Sequence, residues 1–241
     1  MTNSFIAFFD ILGFKNLVEK NSHEDLKIIY EDMIYQSLEL AEKYWNMIYP
    51  NITPNEEKKT LDIQTYVISD SIIFIQNSIT ERGLLYLISV CKVFLSATMG
   101  DGIPLRGAIS FGPVTIENKR GTTVFGLGLT RAYELESQQQ WSGAIIDKEC
   151  FEIIPQIEKH SKLIDRLLQN KINPLIVKYM VPLKTGLSEQ FAFDWTEYAF
   201  LKTEKDIENA FSANKKETTD PSIKIKIMNT KEFFLKMKNS R

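Results

Sequence analysis

The chain has 241 residues, 44% of them hydrophobic and 25% charged, which excludes disordered and fibrous classes and leaves room for one core with additions. A formal charge of -2 supplies no basic field, so neither nucleic acid nor an anionic membrane is an expected partner. The two cysteines exclude a disulfide framework and a cysteine metal clip; Cys91 in an apolar helical pattern and Cys150 after a charged triplet are expected to be buried or idle thiols.

No apolar run approaches the roughly 20 residues of a membrane span. The N-terminal stretch has no leading positive charge, and Asp10 interrupts its apolar run, which argues against a signal peptide. A soluble, cytoplasmic protein is expected.

FIAFFDI (5–11) reads as a buried strand, and LGFKNL then turns toward a helix. Residues 22–49 are helical, with Leu26, Ile29, Met33 and Leu40 near helical spacing and Ser22 with Asp25 as an N-terminal cap. Residues 50–60 are polar, contain two prolines, and read as a loop. TLDIQTYVISDSIIFIQ (60–76) reads as two strands with ISDS at the bend. A second long helix spans 81–102, stopped by Gly100 and Gly102. A strand at 104–118 leads into a hairpin that returns at 119–126. A third helix follows at 127–140, a short strand at 143–147, and a late antiparallel pair at 174–184 and 190–198. From Lys202 the chain is charged and Lys-rich; a solvated surface is expected, mobile at 211–223, with a short final helix at 230–238. The order β-α-β-β-α-β-α-β predicts an α+β fold with a ferredoxin-like core, an antiparallel sheet with helices on one face, plus C-terminal additions.

In such a core the first strand pairs with the following hairpin, so Asp10 at the strand end and Asp70 at the turn meet at one end of the sheet. Taken singly, each reads as a turn residue. Together they repel unless a proton or a cation joins them. Hard oxygen ligands suit Mg²⁺ or Mn²⁺, ions that keep positions free for phosphates. Gly13 and Phe14 open a turn onto a helix N-terminus, where free N–H groups favour phosphate.

These residues carry a resemblance. FFDILGFKNL resembles the metal-binding signature of class III nucleotide cyclases, and YVISDSIIF resembles their second metal-binding hairpin. LRGAISFGPV is similar to their next strand, with its Arg and Gly-Pro turn, and VFGLGLTRAYELES to the segment carrying dimer-spanning catalytic residues. The resemblance covers residues 5–147 and implies a catalytic domain over 1–200 with a charged extension at 201–241. It implies that Asp10 and Asp70 hold two metal ions, Mn²⁺ or Mg²⁺, with the Ile11 carbonyl. It further implies that the backbone of Leu12, Gly13 and Phe14 cradles the triphosphate, and that Arg106 contacts a phosphate. The substrate's 3′-hydroxyl then attacks its own α-phosphorus and pyrophosphate leaves. A homodimer with two composite active sites is implied.

The chain departs from the purine-cyclase pattern. The family's base-reading Lys, four positions before the second Asp, is Tyr66; its polar partner is Thr123; its Asn and transition-state Arg are Thr130 and Glu134, with Arg131 close by. This combination resembles the stand-alone pyrimidine cyclases of bacterial Pycsar anti-phage systems. That likeness implies conversion of UTP or CTP to a cyclic monophosphate that activates a separate effector. Tyr66 offers a flat face and one hydroxyl to a smaller base, or packs as a strand aromatic. Lys178 lies in a late strand where the family often has a phosphate-binding Lys. Phe125 and Arg131 line the base pocket or pack. His23 and His160 receive no catalytic role, and GLGLTR lacks the third Gly of a dinucleotide fingerprint. The alternatives are a purine cyclase, a nucleotidyltransferase on a related core (against which stands the lack of a GGDEF-like signature), and a degenerate nucleotide-binding homodimer favoured by Glu134.

Overall fold

The computed structural model describes residues 2–48, 61–157, 162–169, 174–197 and 201–240. The loop expected at 50–60 and His160 lie outside them. The chain begins with β1 (Thr2–Ile11), α1 (Phe14–Lys20) and α2 (His23–Ile28). A π-helical segment, Ile29–Tyr35, runs on into α3 (Gln36–Ile48). Ser22 accepts from the Asp25 N–H and Asp25 from the Ser22 N–H, the reciprocal cap expected from the sequence. The hairpin β2 (Ile63–Ile68) and β3 (Ser71–Gln76) follows, then α4 (Glu81–Gly100) and β4 (Leu105–Glu117). These first four strands lie in the order β2-β3-β1-β4 with every pairing antiparallel, the ferredoxin-like arrangement.

The additions extend this sheet. After β5 (Thr123–Phe125) and α5 (Leu127–Ser137), β6 (Gly143–Ile146) pairs with β4 in parallel, a register that the intervening helical crossover permits. The short helices α6 (Glu149–Glu152), α7 (Ile154–Ile157) and α8 (Leu163–Gln169) lead to the hairpin β7 (Ile176–Leu183) and β8 (Gly186–Phe193). The sheet then reads β2-β3-β1-β4-β6-β8-β7, with β5 paired to β4 off this path.

The two-faced burial of β1 explains why it reads as an unbroken apolar run. Phe5, Ala7, Phe9 and Ile11 join the main core with α4, whereas Ile6 and Phe8 pack on the opposite face with Ile73, Ile75, Val114 and Ala132. The helices of the ferredoxin-like unit share the first face, and α5 covers the second. Close approach brings α5 there: a Cβ on Gly128 would stand 2.6 Å from Ile6 Cδ1 and 3.1 Å from the Gly112 carbonyl. By length and composition α4 reaches the dimensions of a membrane span, contrary to the reading of the sequence, yet most of it is buried inside the protein. Cys91 and Cys150 are buried free thiols.

The Lys-rich tail departs most from expectation. It forms α9 (Glu204–Ser212) and α10 (Pro221–Asn239), a 19-residue helix rather than a short one at 230–238. Asp220 caps α10, accepting from the Ser222 N–H, and Pro221 supplies a preset first turn, so the helix starts nine residues before the expected Thr230. Phe233 and Phe234 are fully buried, and Phe233 meets the Trp141 ring edge-on at 4.7 Å. Replacing Phe233 by Ala is expected to lower unfolding stability by about 3–5 kcal/mol. Chemical denaturation should show that loss in the single main transition, because α10 belongs to the common core.

Candidate active site

The end of β1 is held from both sides. Asp10 pairs with Ser71 of β3 and with Arg106 of β4. One residue on, the Ile11 N–H donates to the Asp70 carbonyl at 3.1 Å, which ties β1 to the turn between β2 and β3. That turn has two residues, with Ser69 in the left-handed region at φ 57. Tyr30, in the π-helical segment, donates its hydroxyl to the Ser69 carbonyl at 2.5 Å. Helix segments of this kind occur often at functional sites.

By strand alternation Asp10 follows Ile6 and Phe8 onto the second face, where α5 lies. There the Asp70 carboxylate lies near enough for its negative charge to raise the Asp10 pKa. Arg106 Nη2 stands 4.0 Å from Asp10 Oδ2. Its Nε donates to buried Glu136 of α5, and its Nη1 donates to the Gln139 carbonyl at 2.9 Å. Both contacts fix the guanidinium beside the carboxylates.

Burial, then the negative charges of Glu136 and Asp70, push Asp10 from the ordinary carboxylate range up to about 7, with Arg106 opposing. Burial likewise raises Glu136, against the opposing charge of Arg106. Among the described residues no group of three or more His, Cys, Asp or Glu side chains gathers to hold a metal. The donor set on offer is therefore the Asp10–Asp70 pair with nearby main-chain oxygens.

The adjoining turn is also well defined. Leu12 is buried and its N–H donates to the Pro104 carbonyl at 3.0 Å. Gly13 takes φ 80 at the head of α1, where a side chain is disfavoured, and half-buried Phe14 packs on the main core. Lys216 lies against Gly13, its Cδ 3.2 Å from where a Cβ would be, and donates to the Gly102 carbonyl at 2.6 Å. Burial lowers the Lys216 pKa to about 8. Tyr66 is half-buried on β2 opposite Ile73 and packs with the second-face cluster, on the same side of the sheet as Asp10.

Other expected residues lie elsewhere in the chain. Thr123 and Phe125 are on β5, which pairs with the Thr115–Glu117 end of β4, away from Arg106. Arg131 donates to Asp147 at 2.8 Å, and Glu134 is solvent-exposed. Thr130 bonds back to the Gly126 carbonyl at 3.3 Å. Lys178 is exposed over the Phe191 ring, and His23 is exposed at the start of α2.

Glu136 and Tyr30 escaped the reading of the sequence. Glu136 had a signal: Gly128, Ala132 and Glu136 recur every four residues and form the buried face of α5. A carboxylate in such a stripe needs a cationic partner. Tyr30 had none, since the π turn that places it is invisible to helical periodicity.

The sequence matches no family model and no curated protein. Among solved structures, the guanylate cyclase domain of RhGC from Catenaria anguillulae, in complex with GTP, aligns at 14% identity and TM-score 0.45, covering 80% of this chain and 96% of that one. The adenylyl cyclase CyaB from P. aeruginosa aligns at 16% identity and TM-score 0.42, over 79% and 93%. A bacterial light-regulated adenylyl cyclase aligns at 10% identity and TM-score 0.48, over 88% of this chain and 58% of that one.

The raised Asp10 pKa fixes the sign of a pH effect. In the unfolded chain Asp10 loses its proton near 3.8, and in the folded chain near 7. Its contribution therefore favours folding most at acid pH and fades as pH rises from about 4 to about 7. Asp10→Asn is expected to remove a slope on the order of 1.4 kcal/mol per pH unit in that window. Urea unfolding of both proteins at several pH values, without divalent metal, measures the difference.

Proposed function

We propose that this chain is a metal-dependent nucleotide cyclase, converting a nucleoside triphosphate to its 3′,5′-cyclic monophosphate and pyrophosphate. The observation that carries this reading is the carboxylate pair: Asp70 lies near enough to Asp10, beside Arg106, to raise its pKa, a crowding of charge that a proton or a cation relieves. Two carboxylates with the Ile11 carbonyl are hard donors that suit Mg²⁺ or Mn²⁺, which bind through few carboxylates together with substrate phosphates. A bound ion there supplies positive charge to the reacting phosphate oxygens. Asp10 gives up its proton to serve as a ligand, so divalent binding strengthens as pH rises through about 7.

In the proposed reaction the 3′-oxygen bonds to the α-phosphorus, the bond to the bridging oxygen breaks, and the hydroxyl proton leaves to solvent. Glu136 and the Gln139 carbonyl orient Arg106 toward the phosphates. The turn at Leu12, Gly13 and Phe14 borders the same place. Thr123 and Arg131 sit apart from the carboxylates within one chain, and exposed Phe125, Leu127 and Tyr133 accompany them. A homodimer whose second copy completes each site accommodates that separation. A pyrimidine substrate, UTP or CTP, is favoured by Tyr66, whose half-buried ring shares the Asp10 face. In this reading the cyclic product is a second messenger for a separate effector in anti-phage defence. One observation favours a non-catalytic nucleotide-binding homodimer: α5 presents exposed Glu134 where the resemblance calls for Arg.

Purified protein incubated with each of the four NTPs and Mn²⁺, with products identified by mass spectrometry, tests the proposal. A cyclic mononucleotide is the expected product, from a pyrimidine triphosphate above the purines. Asp10→Ala and Asp70→Ala should each cut turnover by at least about 10²–10³-fold. Full activity in either variant would remove the carboxylate pair from the reaction. Tyr66→Ala should change base preference while the melting temperature stays within a few degrees.

A further inference from the structure

The C-terminal helix α10 is fastened across the bend between α5 and β6. Asn229 Nδ2 donates to the Gln140 carbonyl at 2.6 Å, and the Ser142 N–H donates to Thr230 Oγ1 at 2.8 Å. Thr230 in turn donates to the Lys226 carbonyl at 2.6 Å, one helical turn back. The β7–β8 hairpin is tied to the same bend: the Gln140 N–H donates to the Pro182 carbonyl, and the Lys184 N–H to the Gln138 carbonyl, both at 2.7 Å. Gln139, in the middle of the bend, holds Arg106. The hairpin and α10 thus close on the bend that holds Arg106 of β4, and they bring Lys184 and Lys226 to that side of the protein.

These cations are not equally engaged. Arg106 is bound to Glu136. Half-buried Lys226 has one hydrogen-bond acceptor among the described residues, the Ser222 carbonyl at 3.4 Å. Lys184, exposed at the hairpin turn, reaches Glu136 electrostatically, and its ammonium makes no hydrogen bond or ion pair among the described residues. Burial lowers the Lys226 pKa first, and the neighbouring charges of Arg106 and Lys184 lower it further, while Asp220 and Asp10 oppose. Like charges gathered in partly desolvated surroundings gain from an added anion beyond what Glu136, Asp10 and Asp220 already offset.

We propose that Lys226, carried in by the C-terminal helix and assisted by Lys184, is a phosphate-binding residue that holds the polyphosphate of a nucleotide seated at Asp10 and Asp70. The nucleotide part rests on the cyclase reading; the anion site rests on the α10–hairpin wall itself. An ammonium on a flexible stem suits a polyphosphate, which it meets as a point charge from several directions. The charged tail thereby supplies a cation to the end of the sheet where the carboxylates alone would repel a triphosphate.

Isothermal titration of the full chain with magnesium pyrophosphate, and with a nucleoside triphosphate, tests this in the wild type and in Lys226→Ala, Lys226→Arg and Lys224→Ala. Lys226→Ala should weaken both ligands roughly tenfold or more, the scale of one charge-assisted hydrogen bond. Lys226→Arg should retain most of the affinity. Lys224→Ala, exposed on the same helix, should match wild type, and melting temperatures should be unchanged. Wild-type affinity in Lys226→Ala, an equal loss in Lys224→Ala, or no pyrophosphate binding by the wild type would each overturn the proposal. A loss for pyrophosphate with none for the triphosphate would overturn it in favour of free pyrophosphate. Failure of the cyclase reading shows separately, as no turnover of any NTP by the wild type.

Discussion

Two carboxylates meet at the end of a strand that is hydrogen-bonded along both edges. β1 cannot shift its register without breaking its ladders to β3 and β4 together, and a one-residue slip would turn Ile6 and Phe8 out of their packing. The same ladders put Asp10 opposite Ser71 and Arg106, and the Ile11 N–H bond to Asp70 closes the hairpin turn against it. The cost of crowding negative charge is thus borne by two antiparallel ladders at once. Sheet cohesion keeps the carboxylates close enough for Asp70 to raise the Asp10 pKa, and that closeness is what a divalent ion would use.

The second face of the sheet determines the local electrostatics. α5 lies close enough for the Gly128 backbone to approach Ile6 and Gly112, and this brings Glu136 down onto Arg106. Burying Glu136 would be costly without a guanidinium partner. In exchange, Arg106 is aligned by two groups and loses freedom before any ligand arrives. Such prior ordering is what the proposed phosphoryl chemistry would draw on, since positioning and charge supply most of the effect in reactions of that kind.

The C-terminal helices alter how the chain is divided. α10 combines fully buried Phe233 and Phe234 with lysines on its other faces, and it is pinned by Asn229 and Thr230 to the bend that holds Arg106. Core packing and site geometry therefore share one wall. The wall's rigidity comes from stacked aromatic rings, with Trp141 and Tyr179 5.5 Å apart and Phe233 edge-on to both.

Local pattern by itself determined the elements of the first half. FIAFFDI, the ISDS turn, the Ser22–Asp25 cap and the glycine stop after α4 are short-range features, because strand alternation, turn chemistry and capping act over a few residues. The βαββαβ order then places Asp10 and Asp70 at one sheet end, since that topology leaves the first strand between the hairpin and β4. The rest was decided in three dimensions. Glu136 becomes a partner of Arg106 only when α5 docks on the second face, and Tyr30 reaches the turn only through a π-helical segment. Lys226 comes near Arg106 only because the tail folds back into the core, which a composition rich in lysine conceals. Those contacts join residues distant in sequence, and their energy is set by burial and dielectric, which no local pattern encodes.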